Sequence, residues 1–518
     1  MITRRAVALA AVLLTAASCS STRTPSAEST AESTAAEGSA TTAGSTVAST
    51  TAPTTTPTTV APEATPAPTT SPASGATAPI DIDVDAPRTR WVAHLSGPTN
   101  EDEIDGVAAA PDGSLYVTGK FELTATLGGS ELVSSGRADI PLARVAPDGT
   151  PLWVTSFGGP GEDNIFDIDA DVSGAVLTGI IEGEVQFGDH RVVSAGSVDC
   201  VVLAVDPEGD VQWARSFGGL GIDGCNEVTI AADGSIVTSL DTDGGWDSPA
   251  GPMPDAVLRD TLLMRLDRGG AVTWARRVGG AGPQRGKAIS VAPDGSVAFG
   301  GESFGDVEVE GEPHVVPGTG FGSWLTRWTS GGDLVWTVTW GGAGRDFVKG
   351  VLHDEDALYA VGPFIGQIDV QGTVVDARQS TDLVVARFEL DGGLDWVTSV
   401  QGVGPLTGAE VASAPGGGVL LASTRPDGLT IRDAAGDRVE LDDTKGGNAW
   451  LALYRPDGSV GWASTIEGAI TASPDEISRS GTRVYLDMTV RGDANSAAGD
   501  VIDADRKDSA VWAIDIPG

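Results

Sequence analysis

Beyond residue 90 this chain is a succession of short β-forming runs, and Asp-Gly pairs interrupt them at regular intervals. In the first unit Val107 to Ala110 is a run of small residues, Asp112-Gly113 breaks it, and Ser114 to Phe121 is a second run. After a longer connection comes Ile140 to Ala146, then the break Asp148-Gly149, then Thr150 to Phe157. In that last run alternation places Trp153, Thr155 and Phe157 on one face and Leu152 and Val154 on the other. Asp-Gly between β-formers predicts a hairpin, because Gly and to a degree Asp tolerate positive φ. The signal returns at Asp233-Gly234, Asp294-Gly295, Glu208-Gly209, Asp391-Gly392 and Asp457-Gly458. No stretch of useful length has a helical period.

The units repeat. Trp91, Trp153, Trp213, Trp274, Trp336, Trp396 and Trp462 are spaced by 60–66 residues. A Gly follows each by six residues, and Gly149, Gly209, Gly270, Gly332, Gly392 and Gly458 precede the last six by four. A repeat of this length predicts an array of small sheets, each packed on its neighbours. With the four strands of a unit called A to D, the A–B–C sets begin near Val107, Ile165, Val228, Ala288, Val348, Ala409 and Glu476. The Trp-bearing D strands are offset: Trp91 to Leu95 precedes any A strand, and Ala510 to Ile516 has no D strand after it. A closed ring explains the offset, since the N-terminal strand then completes the last unit and hides both sheet edges. The expected fold is an all-β, seven-bladed β-propeller of four-stranded blades, closed by that strand.

The units resemble the bacterial SBBP-like β-propeller repeat, which runs from a Trp to Phe-Gly-Gly-x-Gly-x-Asp and then a strand ending in Val-Thr-Gly. The match is good at Phe157-Gly158-Gly159-Pro160-Gly161-Glu162-Asp163 and at Phe217-Gly218-Gly219-Leu220-Gly221-Ile222-Asp223. It persists at Gly341-Gly342-Ala343-Gly344-Arg345-Asp346 and decays to Gln401-Gly402 and Glu467-Gly468. The resemblance covers nearly the whole of residues 85–518 and implies the fold rather than an activity. Val145 to Trp153 is also similar to the tryptophan-docking repeat of quinone-dependent dehydrogenases. Seven units and the lack of a vicinal Cys pair separate this chain from that pattern.

Residues 1–18 read as an export signal: Arg4 and Arg5 precede the apolar stretch Ala6 to Ala17, too short to span a bilayer. Ala16-Ala17-Ser18-Cys19 resembles a bacterial lipobox, which implies a lipoprotein lipidated at Cys19. Residues 19–84 are mostly Ser, Thr, Ala and Pro, cannot repay the entropy of ordering, and are expected to form a disordered stalk. The anticipated location is therefore the cell envelope, on the outer side of the cytoplasmic membrane, with the lipid as the only membrane contact. The chain carries 32 Lys and Arg against 72 Asp and Glu, a formal charge of −40. Nucleic acid is thereby excluded as a partner, and an unknown protein or glycan is expected to bind a monomeric head.

The Trp repeat is read as filler between blades rather than a platform for ligands. Asp163, Asp223 and Asp346 are expected to cap backbone N–H groups, and the competing reading is that they hold calcium, the one cofactor considered. Arg144, Arg265, Arg327 and Arg387 recur nine residues before a Trp and are read as structural ion pairs. Cys200 and Cys225 are the cysteines left after Cys19, and export favours a disulfide between them as a brace at the rim. Four scattered His and no Gly-x-Ser-x-Gly elbow leave no catalytic constellation. The preferred function is a non-catalytic binding or scaffold module, with Trp246 as a candidate ligand contact in the connection Asp241 to Asp255. Val370 to Thr381 and Asp427 to Asn448 are further candidate binding loops. The alternative is an extracytoplasmic hydrolase, lyase or quinone-dependent oxidoreductase whose site lies in the central funnel, a reading that converging polar residues at the axis would favour.

Overall fold

The structure, a computed structural model, describes residues 89–516 other than 100–101, 253–254, 407, 425–427, 442–448, 467–471, 492–493, 496–500 and 503–506. The export signal, Cys19 and the stalk lie outside the described residues. The described chain is an all-β propeller without helices. Six blades are each built from four successive antiparallel blade strands, in the order A-B-C-D. Blade 1 comprises Glu103–Ala109, Leu115–Lys120, Ile140–Val145 and Pro151–Phe157. Strands A of blades 2 to 6 are Asn164–Asp171, Asp223–Ile230, Gln284–Val291, Gly350–His353 and Glu410–Ser413. A further, composite sheet joins Ala472–Ser480, Arg483–Arg491 and Lys507–Asp515 to the first strand of the chain, Thr89–Ser96. In register, position 91 pairs with Trp512 and Leu95 with Ser509.

The hairpins follow from their turns. In blade 1 the Ser114 N–H donates to Asp112 Oδ1 at 2.9 Å, closing a short turn that the side chain itself stabilises. The cores lie between sheets. Tyr116 and Leu142 of blade 1 pack on Ile168, Leu177 and Val201 of blade 2, and equivalent clusters fill each successive gap. The composite sheet shares one core with blade 6, through Leu420, Trp462, Leu486 and Trp512, and another with blade 1, through Val107, Leu115, Tyr485 and Val511. Burial on both faces explains why B and C strands read as near-continuous apolar runs.

Two features depart from the sequence expectation. The connection from B to C carries its own hairpin, as in Thr124–Leu127 with Ser130–Val133. Three such hairpins add to the D strand of the preceding sheet, pairing Leu95 with Leu127, Val278 with Val309 and Val400 with Ile431, so an outer edge is covered. Val370 to Thr381 is likewise no loop: Ala357–Val370 and Thr373–Glu389 run on as one long hairpin around Gln371 and Gly372. Strand A also starts earlier than Val107, at Glu103 in blade 1. The first turn of sequence before the small apolar residues is charged, and it pairs with strand B nonetheless.

Candidate functional site

The repeated residues are engaged within the fold. The indole N–H of Trp153 donates to Pro207 O at 2.9 Å, that of Trp213 to Arg268 O at 2.8 Å and that of Trp396 to Pro456 O at 3.0 Å. Trp274 and Trp336 make the same bond to Ser330 O and Leu390 O. Each acceptor lies in the C–D turn of the next blade, and the ring covers the Gly of that turn. Gly209 and Gly270 have φ of +94° and +80°, and a Cβ there would come within 3.1 Å and 2.7 Å of the Trp153 and Trp213 rings. The Trp and the Gly are thus two halves of one contact between blades. Trp462 is buried in the core shared with the composite sheet, and the side chain of Trp91 lies outside the described residues.

Arg144 ties the same parts together, donating to Asp112 Oδ2 at 2.7 Å and to Pro207 O at 2.8 Å. Arg265 bonds Ser235 and Gly295 O, Arg327 approaches His353 and Ser296, and Arg387 pairs with Asp395. The three Asp residues considered for calcium sit on separate blades and are not brought together. Asp163 accepts from the Gly159 N–H at 2.8 Å and the Glu182 N–H at 3.1 Å, and Asp346 accepts from Gly342 at 2.6 Å and Ile365 at 2.9 Å. Asp223 accepts from the Gly219 N–H at 2.7 Å. All three are completely buried, and each locks its own D–A turn. Among the described residues no group of three or more His, Cys, Asp or Glu has the arrangement of a metal site.

Cys200 and Cys225 form a disulfide with Cα atoms 4.9 Å apart. Cys225 lies within strand A of blade 3, and both residues are fully buried. The bond therefore joins the sheets of blades 2 and 3 from inside rather than bracing a rim. Trp246 folds back. It is half-buried, donates its N–H to Thr242 Oγ1 at 2.9 Å, and lies against Gly219.

What breaks the repeat is a set of charges at the axis. Strand A of each blade touches strand A of the next, and the composite sheet's strand A touches that of blade 1. Five of these strands begin with an irregularity, between Ile104 and Gly106, Ile165 and Asp167, Cys225 and Val228, Gly286 and Ala288, and Pro474 and Glu476, whereas strands A of blades 5 and 6 pair in regular register. A bulge turns its extra side chain out of the ladder. The residues so placed include Asp105, Glu227, Lys287 and Asp475, all half-buried, and Lys349 directly precedes strand A of blade 5. Asp167, Glu410 and Glu476 occupy the next position.

These groups act on one another across blades. Lys349 pairs with Glu410 at 3.1 Å. Burial alone would lower its pKa, but Glu410, Glu227 and Glu476 outweigh that and raise it. The carboxylates move the other way. Burial pushes Asp105 and Asp475 up to about 6 and Asp167 up to about 7. Glu227 and Glu476 are raised well above the carboxylate range by burial and by the acids opposite them. Burial lowers Lys287. With carboxyls raised toward neutral pH and more acids than cations, this cluster has the chemistry to bind a cation or to trade protons with a bound molecule. From the sequence, Glu476 stood out only as a strand start and Asp167 only as an acidic neighbour in the calcium reading, and the others were passed over. The available signal was a charge just after Gly-x-Asp and just before the small residues of strand A, where the period-two pattern had not yet begun.

No family model and no curated protein matches this chain. Among solved structures, virginiamycin B lyase from Staphylococcus aureus aligns with a TM-score of 0.41 at 10% identity, over 82% of this chain and 99% of its own. The WD40 β-propeller domain of Doa1 gives 0.36 at 10% identity, over 82% and 96%. Puromycin hydrolase gives 0.38 at 14% identity, over 81% of this chain and 56% of its own. Enzymes and a WD40 domain thus stand side by side, and likenesses of this strength carry no argument about chemistry.

Proposed function

We propose that the chain is an extracytoplasmic binding module: a seven-bladed propeller held by a Cys19-linked lipid and a stalk over residues 19–84. In this reading the composite sheet is the seventh blade, and strand Thr89–Ser96 closes the ring. Its pairing with Lys507–Asp515, the core shared with blade 1, and the bond from the Ala109 N–H to Ser478 Oγ at 2.9 Å support the closure. The ligand, a protein, glycan or envelope component, sits at the axial mouth. One observation carries this: the repeated Trp, Gly, Asp and Arg are absorbed in packing, whereas the axial charges differ from blade to blade. Leu220, Val403 and Phe304 are 84%, 56% and 49% exposed at the same end of the sheets, and give a larger partner apolar footing. The test is native mass spectrometry of the full chain purified from its source cells. A bound molecule at fixed stoichiometry that is lost from Lys349→Ala supports the module, and a bare chain, or a ligand kept by that variant, rejects the axial seat.

The raised carboxyls around Lys349 favour a second reading, a hydrolase or lyase that moves protons among the same axial groups. Under that reading a turnover assay on the retained molecule follows the titration of Asp105, Asp167 and Asp475, and absence of turnover discards it.

A further inference from the structure

Three carboxylates lie on adjoining strands where the composite sheet joins blade 1. Asp105 and Asp475 are the bulged residues of the two strands A, and Asp487 comes from the neighbouring strand B. Asp105 and Asp475 act on each other, and both act on Asp487. Asp487 is completely buried, no side chain donates to either of its oxygens, and the neighbouring Met488 N–H, too poorly placed for a full hydrogen bond, is the one donor that acts on it. In blades 1 to 3 the same register position is Thr118, Thr178 and Thr238, whose hydroxyls donate to backbone carbonyls. The last sheet therefore replaces a self-satisfied Thr with an acid that no side chain satisfies, an expense of about 1–3 kcal/mol for a buried polar group. The surrounding cations are committed elsewhere: Lys120 faces Asp105 but pairs with Glu103 at 3.5 Å, and Lys349 pairs with Glu410. Asn164 bonds Asp105, and Thr489 Oγ1 donates to Asp475 Oδ2 at 3.1 Å, which leaves Asp487 as the open acceptor.

We propose that Asp105, Asp475 and Asp487 form the seat for one organic ammonium group, a primary amine brought by a small polyamine or by a lysyl side chain. The proposal deepens the binding-module reading and rests on it. An ammonium carries three N–H donors and asks for acceptors about 2.7–2.9 Å away on separate groups, whereas a divalent ion gathers its oxygens more tightly. The absence of a metal-like grouping among the described residues fits the first demand and not the second. Amine and proton compete for the same oxygens, so affinity falls as the carboxyls protonate.

Titration calorimetry on the full chain in about 150 mM salt, which screens the general pull of an acidic surface, tests this. The probes are spermidine, the peptide Gly-Lys-Gly and calcium chloride. One saturable amine site is expected, weakened about tenfold or more between about pH 7.5 and 5 and by Asp487→Asn, and unchanged by the exposed-surface control Glu131→Gln. Asp105→Asn repeats the test if Asp487→Asn does not fold. Tighter spermidine binding identifies a small polyamine as the source, and tighter peptide binding identifies a protein's lysine. No amine binding, binding at many sites, indifference to both Asp variants, or tighter calcium binding with the same dependence on Asp487 overturns the proposal. Loss of amine binding with a native ligand still retained on Lys349 overturns the ammonium seat alone and leaves the module standing.

Discussion

At the scale of single residues, the strongest constraint is the seat of one blade's Trp on the next blade's turn. A methyl at Gly270 would both force a left-handed residue to carry a Cβ and drive that Cβ into the Trp213 ring. Gly270→Ala is expected to cost about 1–3 kcal/mol, read from the urea midpoint. An equally placed midpoint would show that the contact is slack. Asp163 makes a second residue-scale case. Its two oxygens hold the Gly159 and Glu182 N–H groups, so Asp163→Ala strands two buried donors, at about 1–3 kcal/mol each. If calcium were its business instead, adding a chelator to the native protein would reproduce the loss. The capping geometry predicts that it does not.

At the scale of elements, blades are stitched by side chains and by one covalent bond. The disulfide closes a loop between positions 25 apart. Cys200→Ala with Cys225→Ala is expected to lose about 3 kcal/mol by the loop-entropy estimate. Two unchanged midpoints in reduced and oxidised protein would show that the surrounding core of Val202, Leu240 and Met264 already fixes the two blades. The inner strands show how a period-two reading fails. It finds Val107 to Ala110 because those residues are small and apolar, and misses Glu103 to Gly106 because a bulge shifts the register and a charge sits where the pattern asks for an apolar group.

At the scale of the whole molecule, the buried acids make stability depend on pH in an unusual direction. Asp105, Asp163 and Asp475 have folded pKa values of about 6 against an ordinary 3.8, so between these values the folded state holds more protons than the unfolded. Stability therefore falls as pH rises through that window. Asp112, Asp233 and Asp294 work oppositely: hydrogen bonds from Ser114, Ser235 and Ser296 lower them, and their contribution is lost only below about pH 4. The thermal midpoint should peak between about pH 4 and 5 and decline toward 7, with Asp487→Asn raising the value at neutral pH. A midpoint that climbs steadily from pH 5 to 7 would contradict the buried placement of these acids. The proposed closure makes its own prediction. Deleting the chain through Ser96 bares the edge of Lys507–Asp515, and the truncated protein should unfold at lower denaturant or associate through that edge.

Local patterning determined much of this protein. The Trp spacing, the Asp-Gly turns and the displaced first strand suffice for an all-β array of sheets, because turn chemistry and alternation are properties of a few adjacent residues. The pairing of Cys200 with Cys225 was also legible, from their number and the export signal. Tertiary structure alone decided what meets at the axis. Asp105, Lys349 and Asp487 are far apart in sequence and ordinary among so many charges, and they come under one another's influence only when the inner strands of distant sheets converge. Trp246 shows the converse: its place in a connection made it a candidate ligand contact, and the nearby Gly219 and Thr242 fold it back onto the sheet. Burial and electrostatic coupling are sums over neighbours in space, and a repeat read along the chain carries no term for them.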